Sequence, residues 1–417
     1  MNWIKKQKKE IDRDIQEALS QNINYYESEK MGIPASHLDA LEFAPNAQLL
    51  EGSTYLQTLI NNPNHIGVHT YNNNSEPYFK GTQKLEALVI DTISEHILKS
   101  QPKSTDGYVS SGGTEGNIQA LWVYRNFYNQ KYQLNKDYSS IAIICSEDSH
   151  YSFDKGADLL GLKIEKVTVE TVSRTIIKKD LRSILEKLRN QGVDKLIVIC
   201  NMMTTMFGSV DNLDDYMGLI DLKHFKVKVH VDGAYGGFLY PFTAPDQNLN
   251  FKDPRISSFT LDAHKMLQAP YGTGIFIIKK GLLAYTLTSS AQYVMGMDCT
   301  LIGSRSGSNA IAIYKILFNY GSYDWSEKMV QLVTRANRLA KQLNALNIRF
   351  IHFKGSNIIT INAQDIDPSV AHKFGLVPDN HHQPSWYKIV VMDHVKGDKI
   401  ALFIESMESS KSISSHS

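Results

Sequence analysis

The sequence predicts an α/β domain built on a mostly parallel sheet, followed by a smaller α+β domain, and three observations predict it. Short apolar runs at IAIIC (141–145), KLIVIC (195–200), VKVHV (227–231) and GIFII (274–278) lack strict polar alternation, as strands buried on both faces of a parallel sheet do. Helix-patterned text separates them, for example KKDLRSILEKLRNQG, which closes on Gly192 as a helix C-terminus would. After about residue 315 the text changes to one long helix, WSEKMVQLVTRANRLAKQLNALN, followed by short strands at SNIITIN and YKIVVM.

Taken in order, residues 1–75 carry helical pattern broken by turn-rich text such as NNPNH and YNNNSEP, and read as an N-terminal arm. From Phe79 a helix with a long apolar face runs through LEALVIDTISEHIL. Residues 76–315 make the large α/β domain and 316–407 the small α+β domain. The Ser-rich 408–417, ESSKSISSHS, reads as a disordered tail. No internal repeat is present.

Composition narrows the function classes. With 44 basic and 43 acidic residues the net charge is +1, so no global positive field exists to hold nucleic acid or an anionic membrane. No run approaches the ~20 apolar residues of a membrane-spanning helix. The basic N-terminus, MNWIKKQKKEIDRDIQEAL, lacks the apolar stretch of a signal peptide. Cys145, Cys200 and Cys299 are too few and scattered for a disulfide framework, and the first two sit in apolar runs. A reducing, cytoplasmic setting is expected, and no metal site.

Four stations carry chemistry, each at or near the end of an expected strand, the edge where open α/β sheets bind ligands. In GYVSSGGTEGNIQALW, Gly112 and Gly113 let backbone approach an anion, and Thr114 opens a helix whose free amides attract negative charge. By itself this is an ordinary capped turn. In ICSEDSHYSFDKG, His150 follows a strand, where an imidazole can stack on a flat heteroaromatic ring or serve structure alone. In KVKVHVDGAYGGF, Asp232 ends a strand amid Gly233, Ala234, Gly236 and Gly237, placed to pair with a protonated ring nitrogen. In SSFTLDAHKMLQAPYGTGIFI, Lys265 lies in apolar text, which disfavours its charge and frees its amine as a nucleophile. Alone it is equally a snorkelling lysine. In this order, the four together describe a complete site for pyridoxal 5′-phosphate.

The segments SSGGTEGN, DSHYS, HVDGAYGG and DAHKM resemble the motifs of the group II pyridoxal-dependent amino-acid decarboxylases, over roughly residues 65–320. Within that family, QYVMGMDCTLIGSRSG (292–307) and KIVVMDHV (388–395) resemble the bacterial histidine decarboxylases. The resemblance implies the type I, aspartate aminotransferase-like fold and a homodimer with shared active sites. It implies that Lys265 holds the cofactor as a Schiff base, Asp232 pairs with the pyridine nitrogen, His150 stacks on the ring and Ala234 packs against its other face. Gly113 and Thr114 would bind the phosphate with His264 contributing, and Thr204 or Thr205 would lie near the ring oxygen. Tyr293 is a proton-donor candidate on a loop that can reach a neighbouring subunit, and equally an ordinary loop tyrosine among 21. Arg305 either binds an anionic group or structures its loop. His65, His69 and Tyr71 are pocket candidates or surface-loop residues. One departure is Gly233, where the family often has the first of two alanines.

The expected reaction is decarboxylation of an L-amino acid to its amine. A carbon–carbon lyase of the sphingosine-1-phosphate lyase type and a non-catalytic regulatory protein of the same fold are the alternatives.

Overall fold

The computed structural model describes residues 2–23, 64–65, 77–288 and 297–414 of the 417-residue chain. Its centre is a seven-stranded sheet of β1 (Thr105–Ser110), β2 (Ile141–Ser146), β3 (Lys163–Val167), β4 (Lys195–Asn201), β5 (Lys226–Gly233), β6 (Ile256–Asp262) and β7 (Gly274–Lys279). The strand order is β1-β7-β6-β5-β4-β2-β3. The pairs β6/β5, β5/β4, β4/β2 and β2/β3 are parallel, whereas β7 runs antiparallel to both β1 and β6. GIFII is thus buried as expected but reversed. An all-apolar run reports that both faces are covered, not which way the strand points.

The longer helices are α1 (Lys8–Ser20), α2 (Lys80–Thr92), α3 (Gly113–Tyr132), α4 (Ser152–Leu160), α5 (Lys178–Asn190), α6 (Gly307–Ala345) and α7 (Gly397–Ser414), the last packed with the C-terminal sheet. Two apolar clusters sandwich the sheet, one around Val198, Val231, Phe259 and Ile275, the other around Ile143, Ile197, Tyr124 and Phe276. A third, around Leu339, Ile359, Ile389 and Phe403, underlies a four-stranded antiparallel sheet in the order Phe350–Ile351, Ile358–Asn362, Trp386–Val390, Val377–Pro378.

Two expected boundaries fall inside helices. The 315/316 division lies within α6, which runs across that point. Its interruption lies at Gly321, whose φ of 65° and ψ of 176° only glycine adopts readily. The N-terminal segment docks there: Trp3 Nε1 donates to the Leu317 carbonyl at 2.8 Å, and Lys6 N to the Phe318 carbonyl at 2.8 Å. The expected disordered tail is helical to Ser414. Its serines bond backward along the helix, Ser409 Oγ to the Glu405 carbonyl at 2.8 Å and Ser410 Oγ to the Met407 carbonyl at 3.0 Å, while Met407 is buried.

Because β7 is reversed, its first residue, Gly274, lies beside Ser110 and Asp262, the last residues of β1 and β6. The C-terminal ends of β1, β2, β4, β5 and β6 therefore share one sheet edge with the start of β7.

Candidate active site

That edge opens into a cleft of about 290 Å³. Gly113, Thr114, His150, Thr204, Thr205, Asp232, Ala234, His264 and Lys265, scattered over some 150 residues of sequence, all line it. Tyr293, His69 and Tyr71 lie outside the described residues. Of His65 only the backbone is described, paired with Arg305 in a two-residue ladder.

The β1–α3 turn forms one wall. Gly112 precedes the helix with φ 151° and ψ 177°, and a Cβ there would sit 3.2 Å from His264 Cε1. The helix starts at Gly113, one residue before Thr114, and its first-turn amides have no intrahelical acceptor. Glu115 folds back to accept from Ser111 N and Oγ at 2.6 and 2.7 Å, which sets the turn's shape. The turn is a cradle in which backbone N–H groups converge with a positive helix end, as a phosphate requires.

Asp232 is the floor. It is 7 % exposed, and its two oxygens are held separately: Oδ1 accepts from Ala234 N at 3.0 Å and Oδ2 from Asn117 Nδ2 at 2.9 Å. The two donors fix the orientation of the carboxylate. At Gly233, the departure from the family pattern, a Cβ would press on the Thr260 carbonyl at 3.1 Å. His150 is half-buried, its Nδ1 accepting from Ser152 N at 3.2 Å and its ring centroid 4.1 Å from that of Tyr151. Burial lowers its basicity, so the ring is held toward the neutral form that stacks without a charge.

Lys265 differs from its sequence reading. The neighbouring Met266 and Leu267 are fully buried and take the apolar volume, while Lys265 Nζ faces a carboxylate, 3.1 Å from Asp262 Oδ2. His264 Nδ1 donates to the Thr273 carbonyl at 2.8 Å, which turns Nε2 toward Asp262 Oδ2 at 3.6 Å. Burial raises the Asp262 carboxyl above its ordinary value, against the opposing charges of Lys265 and His264. Its Oδ1 is buried and has no hydrogen-bond partner among the described residues. The cradle, the anchored Asp232, the lysine and this orphaned oxygen fit a flat, phosphorylated pyridine aldehyde.

The two threonines separate. Thr204 is buried, with Oγ1 bonded to Ser209 Oγ at 2.7 Å, whereas Thr205 is exposed at the cleft. Arg305 does not line the cleft. It is ion-paired with the fully buried Glu86, donates to the Val109 carbonyl at 3.2 Å and lies over the Tyr108 ring, so it structures its loop.

Sequence reasoning missed Asn117, Asn201, Asp262 and Asp148, which also line the cleft. Asn117 was visible one helical turn after Thr114, and Asp262 three residues before Lys265, where polar residues sit amid apolar or small text. Among the described residues no group of side chains could hold a metal, and no helix is long and apolar enough to cross a membrane.

Comparison with known proteins places this geometry. The model of the pyridoxal-dependent decarboxylase conserved domain matches residues 55–359. The chain is 45% identical over 397 residues to a tryptophan decarboxylase of Clostridium sporogenes, covering 95% of this chain and 94% of that one. Among solved structures, tryptophan decarboxylase of Catharanthus roseus superposes with a TM-score of 0.70 at 16% identity, over 98% of this chain and 89% of that one. L-methionine decarboxylase of Streptomyces sp.590 superposes with a TM-score of 0.67 at 20% identity, over 96% and 93%. The fold is therefore the type I fold of pyridoxal-phosphate decarboxylases. The expected likeness to histidine decarboxylases is corrected, since the strong relative acts on tryptophan by name. The segments that suggested histidine are short and lie partly outside the described residues.

Proposed function

The chain belongs to the pyridoxal-dependent decarboxylase family and is a pyridoxal-phosphate-dependent amino-acid decarboxylase, and from that premise we propose that its substrate is an aromatic L-amino acid of the tryptophan class. The observation that carries the substrate is the 45% identity spread over nearly the whole of both chains. The aromatic and thioether side chains of Tyr151, Met203 and Tyr235 on the cleft wall suit an indole.

When bound, the cofactor supplies a conjugated electron sink that takes the electron pair left as carbon dioxide departs. The chain's residues do the rest. Lys265 Nζ would hold the cofactor covalently as its nucleophilic amine. Asp232, fixed by Asn117 and Ala234, would pair with the ring nitrogen. His150 and Ala234 would pack against the ring. The amides at Gly113 and Thr114, with His264, would bind the phosphate. The proton that replaces the carboxylate comes from Lys265 Nζ or from Tyr293. Asp262, beside Nζ, keeps the freed amine in reach.

A homodimer with shared active sites is part of this reading, supported by the family resemblance. Sedimentation showing a fully active monomer would contradict it. A reducing, cytoplasmic setting is supported by three buried cysteines that form no disulfide.

The test is a panel of L-tryptophan, L-tyrosine, L-phenylalanine, L-histidine and L-methionine, with carbon dioxide and amine products followed together. Tryptamine with the highest kcat/KM is expected. Histamine as the preferred product would overturn the substrate assignment, and an aldehyde without carbon dioxide would point to a carbon–carbon lyase.

A further inference from the structure

A chain of buried side chains leads from Asp232 through Asn117, at the cleft, into the core. Asn117 Nδ2 donates to Asp232 Oδ2 at 2.9 Å and to Ser152 Oγ at 3.0 Å, so both amide hydrogens are engaged. Its Oδ1 lies 3.0 Å from His230 Nε2. An amide oxygen only accepts, so His230 carries its proton on Nε2. Nδ1 then accepts, and Ser258 Oγ lies 2.7 Å from it. Ser258 Oγ is in turn in a short hydrogen bond with the buried Tyr124 hydroxyl. Asn117, His230, Ser258 and Tyr124 are each no more than 1% exposed. Hydrogen-bond direction is thus uniform: Tyr124 to Ser258, to His230, to Asn117, to Asp232.

We propose that His230 and Asn117 are positioning residues for the reaction, the imidazole locking the Asn117 amide so that its N–H stays on Asp232 and the carboxylate stays aimed. The inference rests on Asp232 being the partner of the cofactor's ring nitrogen. Without a donor at Oδ1 the amide is free to turn its oxygen toward Asp232, which would place two acceptors together in a buried site. Burial pushes His230 down to about 4, so the ring is neutral and the tautomer stays fixed over the working range of pH. The titratable groups that feel the Asp232 charge are His230 on its own strand, His150 after β2 and Asp262 at the end of β6, with Lys265 beside Asp262. Asn117 from α3 is the uncharged side chain that bonds it directly, beside the Ala234 backbone N–H.

The experiment compares holoenzymes carrying His230→Phe, His230→Gln and Asp232→Ala, each checked for folding by circular dichroism. Readouts are kcat and KM against pH and the visible spectrum of the bound cofactor against pH. His230→Phe is expected to lower kcat on the order of tenfold to a hundredfold, as loss of alignment at a reacting group does. KM should change less than about twofold, since substrate binding itself is untouched. The acid limb of the profile and the cofactor spectrum should both move from their native positions, because the carboxylate loses the donor that aims it at the ring nitrogen. His230→Gln, whose amide can still donate to Asn117, should restore most of both. A native acid limb and spectrum in His230→Phe, or a glutamine variant shifted as far as the phenylalanine one, overturns the proposal. If His230→Phe does not fold, Ser258→Ala replaces it: removing the donor to Nδ1 should move the limb from its native position, and an unmoved limb overturns the proposal. Native activity in Asp232→Ala would instead remove the premise about Asp232.

Discussion

The same imidazole makes the fold sensitive to acid by an amount that can be worked out. His230 is fully buried, and burial lowers it from an ordinary 6.5 to about 4. The unfolded chain takes up a proton at this position near pH 6.5, whereas the folded chain refuses it until about pH 4. Stability from the neutral ring is therefore fully present above 6.5 and is lost as pH falls through the unfolded value toward the folded one. Each pH unit in that window is worth about 1.4 kcal/mol, which amounts to about 2 kcal/mol lost between pH 8 and pH 5 and about 3 kcal/mol by pH 4. The perturbation is His230→Gln, which keeps a donor toward Asn117 and does not titrate. Urea unfolding of the holoenzymes at pH 8, 6 and 5 gives the assay, and the native-minus-variant difference cancels the titration of every other group. That difference should shift against the native chain by about 2 kcal/mol between pH 8 and 5. Parallel losses in the two proteins would show that His230 is protonated in the fold without cost, and the burial argument would fail.

Three further outcomes are expected. Lys265→Ala should abolish carbon dioxide release and the visible absorbance of covalently held cofactor; retained turnover would remove Lys265 from the chemistry. Arg305→Met takes the cation from the fully buried Glu86 and should cost about 3–5 kcal/mol in urea unfolding. Because Arg305 lies off the cleft, KM at a permissive temperature should stay native, and a large rise in KM would return Arg305 to substrate binding. Gly112→Ala forces a side chain into a backbone conformation that costs about 1–3 kcal/mol and brings a Cβ to 3.2 Å from His264. Equilibrium dialysis should show weaker cofactor retention, and unchanged retention would argue against the β1–α3 turn as the phosphate cradle.

Much of the fold was legible because buried parallel strands announce themselves as short apolar runs, and β2 and β4 do so without ambiguity. β3 and β6 were not. β3, KIEKV, is an edge strand with exposed charges, and β6, ISSFTLD, is polar in sequence although every residue is buried. Ser258 and Thr260 are tolerated in β6 because they reach polar partners inside the core, His230 and Tyr124 among them. No local pattern reveals such pairings, since the partners lie 28 and 134 residues away from Ser258.

The candidate site divides along the same line. Residues at or shortly after a strand end, Asp232, His150 and Lys265, can be read locally, because the strand fixes their position and small neighbours mark a cavity. What each of them meets is a matter of the sheet order. Lys265 read as an amine in apolar text, yet its Nζ faces Asp262, because the apolar neighbours turn into the core and leave the polar pair at the cleft. The wall carrying Thr204 and Thr205 is set from further away still. Lys388 Nζ donates to the Thr205 carbonyl at 3.0 Å, Thr360 Oγ1 donates to the Met206 carbonyl at 3.0 Å, and the Phe207 ring meets Trp386 edge-on at 6.2 Å. All three contacts come from the C-terminal antiparallel sheet, so the loop after β4 is held between the two sheets. A displacement of the small sheet must therefore move the threonines that line the cleft. That makes the C-terminal sheet part of the cleft's geometry, although it contributes no residue to its lining.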